Sequence, residues 1–429
     1  MYNQLISKKN KMAVIGLGYV GLPLALEFSK HFSVIGYDIN QRHVKLLQNG
    51  VDASGEIPEE EFKGRDLVFT HNSEDINDCS LFIIAVPTPI DKYNKPDLRP
   101  LLSATLSVAN AIKPGDFVIY ESTVYPGCTT EECVPLLERV SNLRYRKDFK
   151  VGYSPERINP GDTQHSFKNT TKIVSACDQE SLDQIAKIYE TVVAAGVHRA
   201  PDIKVAEAAK IIENTQRDVN IALMNELSIL FNRMGINTYD VIKAASTKWN
   251  FVPYTPGLVG GHCIGVDPYY MVHKAAELKY HPQMIASGRF VNDSMGGYVA
   301  KQTVKKLLSN DLPLLRARVL VMGITYKENV SDIRNSKVVD IVKELQSYRV
   351  SVDVVDYKAD AHMVEDEYGI KLLPTPAGKY HAVIMAVPHQ QYVNMSENDF
   401  KNLLDPKGLV VDIRGIYKDV IKELRYWSL

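Results

Sequence analysis

MAVIGLGYVGLPLALEFSK, residues 12–30, reads as a short apolar strand (12–16), a glycine-rich turn (GLGYVG, 16–21) and an apolar stretch with helical spacing. A second strand-type run, FSVIGYD, closes on Asp38, 22 residues after Gly16, which is the size of one βαβ unit with a right-handed crossover. DLVFT (66–70), SLFIIAV (80–86), DFVIYES (116–122), VGYS (151–154) and KIVSA (172–176) follow as further strands separated by helical stretches. Strands alternating with helices predict a doubly wound α/β domain through about residue 200.

The three glycines have separate tasks. Gly16 permits the tight turn, Gly18 lets backbone approach a pyrophosphate, and Gly21 lets helix and strand pack closely, with the phosphate on the free N–H groups of the helix N-terminus. A structural turn without a ligand is the plain alternative, and the preceding strand and Asp38 count against it. A carboxylate at Asp38 accepts hydrogen bonds from the adenine ribose hydroxyls and repels a 2′-phosphate, which favours NAD, while Arg42 close by keeps NADP open.

From Ile203 the chain changes character: KVAEAAKIIENTQRDVNIALMNELSILFNRMG lacks Pro and internal Gly and predicts one long helix ending near Gly235. More helix follows, then the Gly- and Pro-dense loop FVPYTPGLVGGHCIGVDPYY (251–270), then a helical stretch over 281–308. The last part repeats the first in weaker form, with RARVLVMGI and VSVDVVD as strands around the helix VVDIVKELQ. LFIIAVPTP is echoed by VIMAVPHQ, and KPGDFVIYESTVYPG by DPKGLVVDIRGIY. This copy keeps Gly323 alone of the glycine triplet, so a second dinucleotide bound in the same way is not expected. The expected fold is α/β: two Rossmann-like doubly wound domains (1–200 and 311–429) joined by a long central helix and a helical middle domain (201–310).

Lys plus Arg is 50 against Asp plus Glu 51 in 429 residues, so no global field recruits nucleic acid or an anionic membrane. With 45% hydrophobic and 24% charged residues, the composition is that of folded domains, without room for a long disordered region. KKNK before MAVIGLGYVGLPLAL copies a signal peptide superficially, but the glycine spacing explains the run better, and no apolar stretch reaches membrane-helix length. The five cysteines are odd in number and unevenly spaced, which points to a reducing, cytoplasmic compartment. Cys128 and Cys133 have no second pair or nearby histidine, so no metal site is expected.

Cys263 stands apart. It lies in VGGHCIGVD between glycines that expose backbone N–H groups, with Asp267 four residues on, and a neighbouring lysine would favour its thiolate. The other four cysteines are assigned packing or surface roles, and His262 reads as a satisfied loop histidine. Glu207, Lys210, Asn214 and Arg217 share one face of the long helix, either as a solvated stripe or as groups beside a bound nicotinamide. Cofactor, cysteine and lysine together suit oxidation of an alcohol through to an acid: the aldehyde is held as a thiohemiacetal, oxidised to a thioester and hydrolysed.

Eight blocks in order, VIGLGYVGLPLA, AVPTP, ESTVYPG, SPERINPG, KVAEAAKIIENTQRD, GLVGGHCIGVDPYY, GITYKENVSDIRNSK and VDIRG, span essentially the whole chain, which on them resembles the nucleotide-sugar 6-dehydrogenases. ESTVYPGCTTEECVP and SPERINPGD are most similar to the bacterial UDP-N-acetylhexosamine dehydrogenases of surface-polysaccharide synthesis, notably the Vi-antigen type. The resemblance implies NAD-dependent four-electron oxidation at C6 of UDP-N-acetylglucosamine or its galacto epimer, with UDP-N-acetylmannosamine and UDP-glucose as alternatives.

By matching motif, the resemblance implies that Cys263 is the nucleophile, that Lys210 and Asn214 position a water and stabilise charge on the C6 oxygen, and that Asp267 is their partner in proton transfer. Glu156 is implied as the carboxylate assisting thioester hydrolysis and Thr123 as the group orienting that water; whether Lys210, Asp267 or bound water takes the first proton stays open. Gly16, Gly18, Tyr19, Val20, Gly21, Asp38, Arg42, Pro87, Thr88, Thr123 and Arg334 are implied for the cofactor. Substrate contacts are implied for Glu156, Arg157, Lys210, Asn214, Lys327 and Arg414, and for Phe251, Tyr254, Gly260 and Gly261 in the segment over the UDP.

UDP-glucose dehydrogenases commonly carry a second glutamate where this chain has Pro160, and here Arg157 stands beside Glu156, which suits an acetamido sugar. Ile211, Ile212, Val219, Leu223 and Leu227 make the far side of the long helix apolar, so a homodimer is expected. A two-electron hydroxyacid or hydroxyacyl dehydrogenase would share the fold but leave Cys263 and the terminal domain without a task. A nucleotide-sensing regulatory protein is the non-enzymatic rival, against which Cys263, Lys210 and Asp267 argue.

Overall fold

Eight strands build the first sheet: β1 (Lys11–Ile15), β2 (Val34–Tyr37), β3 (Leu67–Thr70), β4 (Cys79–Ile84), β5 (Phe117–Tyr120), β6 (Lys150–Tyr153), β7 (Lys172–Ala176) and β8 (Val197–Arg199). Their order is β3-β2-β1-β4-β5-β6-β7-β8, parallel except where β6 meets β7. VIGY of β2 and FVIY of β5 are buried at every position, as expected of parallel strands covered by helices on both faces. The order reverses between β1 and β4, which opens a crevice at the carboxyl ends of those strands, directly at the glycine turn. Only β8 escapes the sequence reading: VHR is three residues long, partly exposed and without an apolar pattern.

The structure, a computed structural model, describes residues 1–53, 55, 57–157, 167–309 and 314–429. It divides into two compact units, Met1–Glu213 with Tyr269–Tyr280 and Asn214–Pro268 with His281–Leu429.

The long helix runs Ile203–Met234. Asp202 caps its start, its Oδ1 accepting from Val205 N at 2.9 Å. Gly235, at φ +72°, ends it in the left-handed conformation, and Ile236 N bonds Phe231 O at 2.9 Å to close the last turn. Helices Asp267–Glu277 and Gln283–Leu308 follow.

In unit 2 a second, wholly parallel sheet comprises β9 (Arg318–Met322), β10 (Ser351–Val355), β11 (Tyr380–Met385), β12 (Leu404–Asp412) and β13 (Arg425–Ser428), ordered β10-β9-β11-β12-β13. Alternate residues of β9 enter different cores, Val319 and Val321 on one face and Leu320 and Met322 on the other. The edge strand β13, RYWS, has no apolar run to betray it; Trp427, and Leu429 just beyond it, bury its carboxyl end.

The internal repeat extends to single atoms. Gly16 and Gly323 both sit at φ +89°, and a Cβ on either would meet the strand across the switch point, Ala85 O at 2.8 Å or Val387 O at 2.6 Å. Asp38 Oδ2 accepts from Leu17 N at 2.9 Å, as Asp356 Oδ2 accepts from Ile324 N at 2.6 Å. Thr325 and Glu328 occupy the places of Gly18 and Gly21, and the buried Asp356 carboxylate is held by His389 at 3.1 Å.

Candidate active site

In unit 1 the turn after β1 has the shape of a phosphate cradle. A Cβ on Gly21 would stand 1.8 Å from Gly16 O, so helix and turn touch backbone to backbone, whereas a Cβ on Gly18 would meet nothing within 4 Å. Tyr19 and Val20 are half-buried beside this open space. Asp38 braces the turn through Leu17 N and accepts from Asn40 N at 2.8 Å, and His43 Nε2 lies 3.0 Å from Leu17 O; Arg42 is exposed. The bare Gly18 and the carboxylate at the end of β2 fit the pyrophosphate and ribose of NAD. Across the crevice the Ser122 hydroxyl donates to Val86 O at 2.7 Å and accepts from Val86 N at 3.0 Å, which ties the AVPTP loop to the ESTV loop. Pro87 is exposed, Thr88 is half-buried with its carbonyl 2.9 Å from the Tyr270 hydroxyl, and Thr123 is half-buried.

Glu156 is 6% exposed and belongs to a buried ionic cluster. Lys172 Nζ lies 2.5 Å from Glu121 Oε2 and 3.1 Å from Glu156 Oε2. Arg157 N donates to Glu156 Oε1 at 2.6 Å, while its guanidinium is engaged by Glu213 at 2.7 Å and Thr171 O at 3.0 Å. Pro160 lies outside the described residues. Lys210 is 8% exposed.

The one-face stripe proposed for the long helix does not act as a unit. Glu207 is buried and accepts from Gly127 N at 2.5 Å and Thr129 N at 3.0 Å; burial pushes its carboxyl up to about 7 against those hydrogen bonds. It anchors the turn after ESTVYPG, while Arg217 is exposed. Ile211 is likewise fully buried and Val219 and Leu227 are half-buried, so of the apolar far side read from the sequence Ile212 and Leu223 are exposed, and the exposed stripe also takes in Leu230 and Met234.

In unit 2 Cys263 is half-buried, whereas Cys79, Cys128, Cys133 and Cys177 are buried; burial pushes the Cys79 thiol up to about 12. The Cys263 carbonyl accepts from Val266 N at 2.9 Å and Asp267 N at 2.8 Å, so the cysteine loop turns directly into the Asp267–Glu277 helix. Asp267, 2% exposed, accepts from Asn214 Nδ2 at 2.5 Å. Residues 53 apart in sequence are thus joined one helical turn after the cysteine.

Sequence reading assigns the glycines of this loop to exposed N–H groups; the structure gives them to close packing. A Cβ on Gly260 would stand 2.5 Å from Asn335 O, and one on Gly261, at φ +82°, 2.6 Å from the Tyr326 ring. His262 is paired with Asp332 at 3.2 Å, and Arg334 holds the same Asp332 at 2.6 Å while reaching His262 at 3.3 Å. Burial works against charge on His262, but Asp332 and the Cys263 sulfur outweigh it and bring the imidazole up to about 9.

A cavity of about 190 Å³ opens at the carboxyl ends of β9, β11 and β12, lined by Lys327, Lys337 and Arg414 with Leu258, Gly260 and Ile264. This is the switch point of the second sheet, where open α/β sheets bind ligands. Arg414 pairs with Glu328 at 3.1 Å, and buried Asp412 fixes its turn by accepting from Arg414 N at 3.1 Å and Tyr417 N at 2.7 Å. Phe251 and Tyr254 are half-buried at the start of the covering loop. That loop is clamped by Asn225, which accepts from Gly257 N at 2.8 Å and donates to Gly257 O at 3.0 Å.

Sequence reasoning missed Glu121, Lys172, Asn225, Asp332 and Lys337. For Lys172 a signal was present, a charged residue opening the otherwise apolar strand KIVSA; Asn225 and Asp332 look like ordinary surface positions until their partners are known.

Family models covering residues 10–193, 204–294 and 320–419 match in order: the NAD binding domain, the central domain and the UDP binding domain of the UDP-glucose/GDP-mannose dehydrogenase family. A UDP-N-acetyl-D-glucosamine 6-dehydrogenase of Pseudomonas aeruginosa is 51% identical over 420 residues, 97% of this chain and 100% of that protein. The enzyme of the same name from Salmonella typhi is 50% identical over 408 residues, 95% and 96% of the two chains. Among solved structures, the UDP-D-ManNAc dehydrogenase from Pyrococcus horikoshii superimposes with a TM-score of 0.87 at 30% identity, covering 97% of this chain and 98% of that one. With its NAD-binding turn and all three domains matched, the chain belongs to the UDP-glucose/GDP-mannose dehydrogenase family and is an NAD-dependent nucleotide-sugar dehydrogenase.

Proposed function

We propose that this protein oxidises C6 of UDP-N-acetyl-D-glucosamine to the carboxylate, consuming two NAD per sugar, for surface-polysaccharide synthesis in the cytoplasm. The observation that carries the four-electron chemistry is Cys263: alone among the five cysteines it is not buried, and it stands on the turn that delivers Asp267 to Asn214. The choice of sugar rests on the two relatives of that name, 51% and 50% identical over nearly the whole chain.

NAD, held by the turn with Gly16, Gly18 and Gly21 and by Asp38, would supply the hydride acceptor for each of the two oxidations at C6. In the first, O6 loses its proton within the Lys210, Asn214 and Asp267 group, and the aldehyde results. Cys263 Sγ then bonds to C6, and the oxygen, protonated, completes the thiohemiacetal. In the second oxidation that hydroxyl loses its proton and C6 becomes the thioester carbon. Water, oriented by Thr123 and deprotonated by Glu156, attacks C6; the C6–Sγ bond breaks and Cys263 leaves as thiolate. Lys327 and Arg414 hold the UDP phosphates, and the loop with Phe251, Tyr254, Gly260 and Gly261 covers them. Arg334 supports the cysteine loop through Asp332 and His262 rather than through the cofactor alone. Arg157 reads the acetamido group only indirectly, since Glu213 and Thr171 occupy its guanidinium.

The domain division 1–200, 201–310 and 311–429 belongs to this reading, as does a homodimer. Ile212, Leu223, Leu230 and Met234, each at least half exposed, form one stripe along the long helix, and a second copy of the same helix is the partner that such a self-complementary stripe fits. Light scattering distinguishes dimer from monomer, and Leu223→Lys with Leu230→Lys shifts the mass to that of the monomer.

The deciding assay counts NADH formed per limiting UDP-N-acetylglucosamine, UDP-N-acetylgalactosamine, UDP-N-acetylmannosamine or UDP-glucose. Two NADH from UDP-N-acetylglucosamine, lost in Cys263→Ser, is the expected result. One NADH per sugar, or full oxidation without the thiol, refutes the proposal.

A further inference from the structure

Behind Glu156 lie three ionisable groups that the scheme above does not use. Lys172, at the head of β7, is 3% exposed at its side chain, and its ammonium stands between Glu121 Oε2 at 2.5 Å and Glu156 Oε2 at 3.1 Å. Glu121 is fully enclosed, and its second oxygen accepts from the Tyr189 hydroxyl. The Phe167 and Tyr189 rings flank the ammonium at 5.3 and 5.9 Å. A lysine is rarely enclosed in this way unless paired, and here it is paired twice.

Two carboxylates and one ammonium leave a buried net negative charge if all are ionised, which an apolar surrounding strongly opposes. The titratable groups facing Glu121 are Lys172, Glu156 and Tyr189; burial pushes its carboxyl up to about 7, with the nearby ammonium pulling the other way. Burial likewise opposes the charge on Lys172, but the two carboxylates outweigh it and hold it protonated. Glu156 is thereby fixed by one oxygen to a cation that Glu121 shares.

We propose that Lys172 and Glu121 are positioning residues for the hydrolytic step: they hold Glu156 as an oriented carboxylate and share its counter-charge, so that it takes the proton of the water that cleaves the Cys263 thioester. In that step water oxygen bonds to C6, one water proton passes to Glu156, the C6–Sγ bond breaks with its electron pair on sulfur, and the resulting carboxylic acid releases the second proton to solvent. The inference rests on the proposed function, and the electrons of both oxidations have already left before this step begins.

Glu121→Gln, Lys172→Met and Lys172→Arg, made in the full-length protein and mixed rapidly with NAD and UDP-N-acetylglucosamine, separate the halves of the reaction. Glu121→Gln is expected to keep the fast burst of two NADH per site, to lower steady-state kcat by tenfold or more, to accumulate a uronyl adduct on Cys263 by intact mass, and to move the acidic limb of the kcat profile. Lys172→Arg is expected to recover part of the rate lost in Lys172→Met. Because Lys172→Met removes a buried charge and is able to unfold the domain, Glu121→Gln, close in shape, is the decisive variant. A Glu121→Gln protein with normal kcat and pH profile, or one whose burst slows in step with kcat and traps no adduct, overturns the inference. If Glu156→Gln traps the adduct while Glu121→Gln turns over normally, the inference alone fails; if the wild type makes one NADH per sugar, the functional reading fails and takes the inference with it.

Discussion

Replacing Gly18 and Gly21 separately with alanine separates binding from folding at one turn. A Cβ at position 18 meets no protein atom within 4 Å, and no positive φ forbids it, so Gly18→Ala is expected to fold as well as the wild type, with a gain of at most about 1 kcal/mol from the stiffer unfolded chain. The same methyl occupies the space through which backbone approaches the pyrophosphate. Losing one charge-assisted hydrogen bond there costs roughly 1.5–3 kcal/mol, which is a ten- to hundredfold rise in the Kd for NAD. At position 21 the Cβ would lie 1.8 Å from Gly16 O, far inside contact distance, and helix and turn must part. Overpacking of this kind costs about 3 kcal/mol, equivalent to a fall in Tm on the order of 6–12 °C. Calorimetric titration with NAD and thermal melts read the two effects separately. A Gly18→Ala protein that binds NAD within twofold of the wild type refutes the cradle, and a Gly21→Ala protein with unchanged Tm refutes the packing argument.

Burial opposes ionisation of Asp356, but His389 and the Ile324 and Lys358 amides outweigh it and hold the carboxyl at about 2 against an ordinary 3.8. The folded value is the lower one, so about 2 kcal/mol of stability is present above about pH 4 and lost as pH falls towards 2; the urea midpoint should drop across that window in the wild type and much less in Asp356→Asn. His262 behaves oppositely: its folded value of about 9 exceeds the ordinary 6.5, so the associated stability is complete below pH 6.5 and lost as pH rises through about 9. Melts from pH 6 to 9.5 should show this decline, and His262→Gln should flatten it. Asn225→Ala removes both partners of Gly257 and takes the Asn225 donor from Asn292 Oδ1, at a cost of about 2 kcal/mol, and is expected to raise KM for the UDP-sugar more than KM for NAD because Gly257 anchors the loop over the cavity; equal changes in the two constants would refute that assignment.

The glycine turn, Asp38 and the alternation of strands with helices were legible because each is local: a turn needs particular residues at fixed offsets, and a buried parallel strand needs an unbroken apolar run. The same reasoning found the second Rossmann-like domain through its echoed blocks, and the long helix to within a residue of its end at Met234. It failed where neighbours decide. Glu207, Lys210, Asn214 and Arg217 share a helical face in sequence, but Glu207 turns to the Gly127 and Thr129 amides, Asn214 to Asp267, and Arg217 to solvent. The three-residue β8 and the edge strand β13 exist only because a sheet edge was waiting for them.

Sequence alone therefore determined the family, the α/β class, the dinucleotide turn and which cysteine to suspect, since those depend on residue type and spacing. Tertiary structure decided that Gly260 and Gly261 serve close packing against Asn335 and Tyr326, that Lys172 lies between Glu121 and Glu156, and that Arg157 is spent on Glu213. Each of these depends on groups distant in sequence, and a buried charge or a missing Cβ acquires its meaning only from the atoms that fill the space beside it.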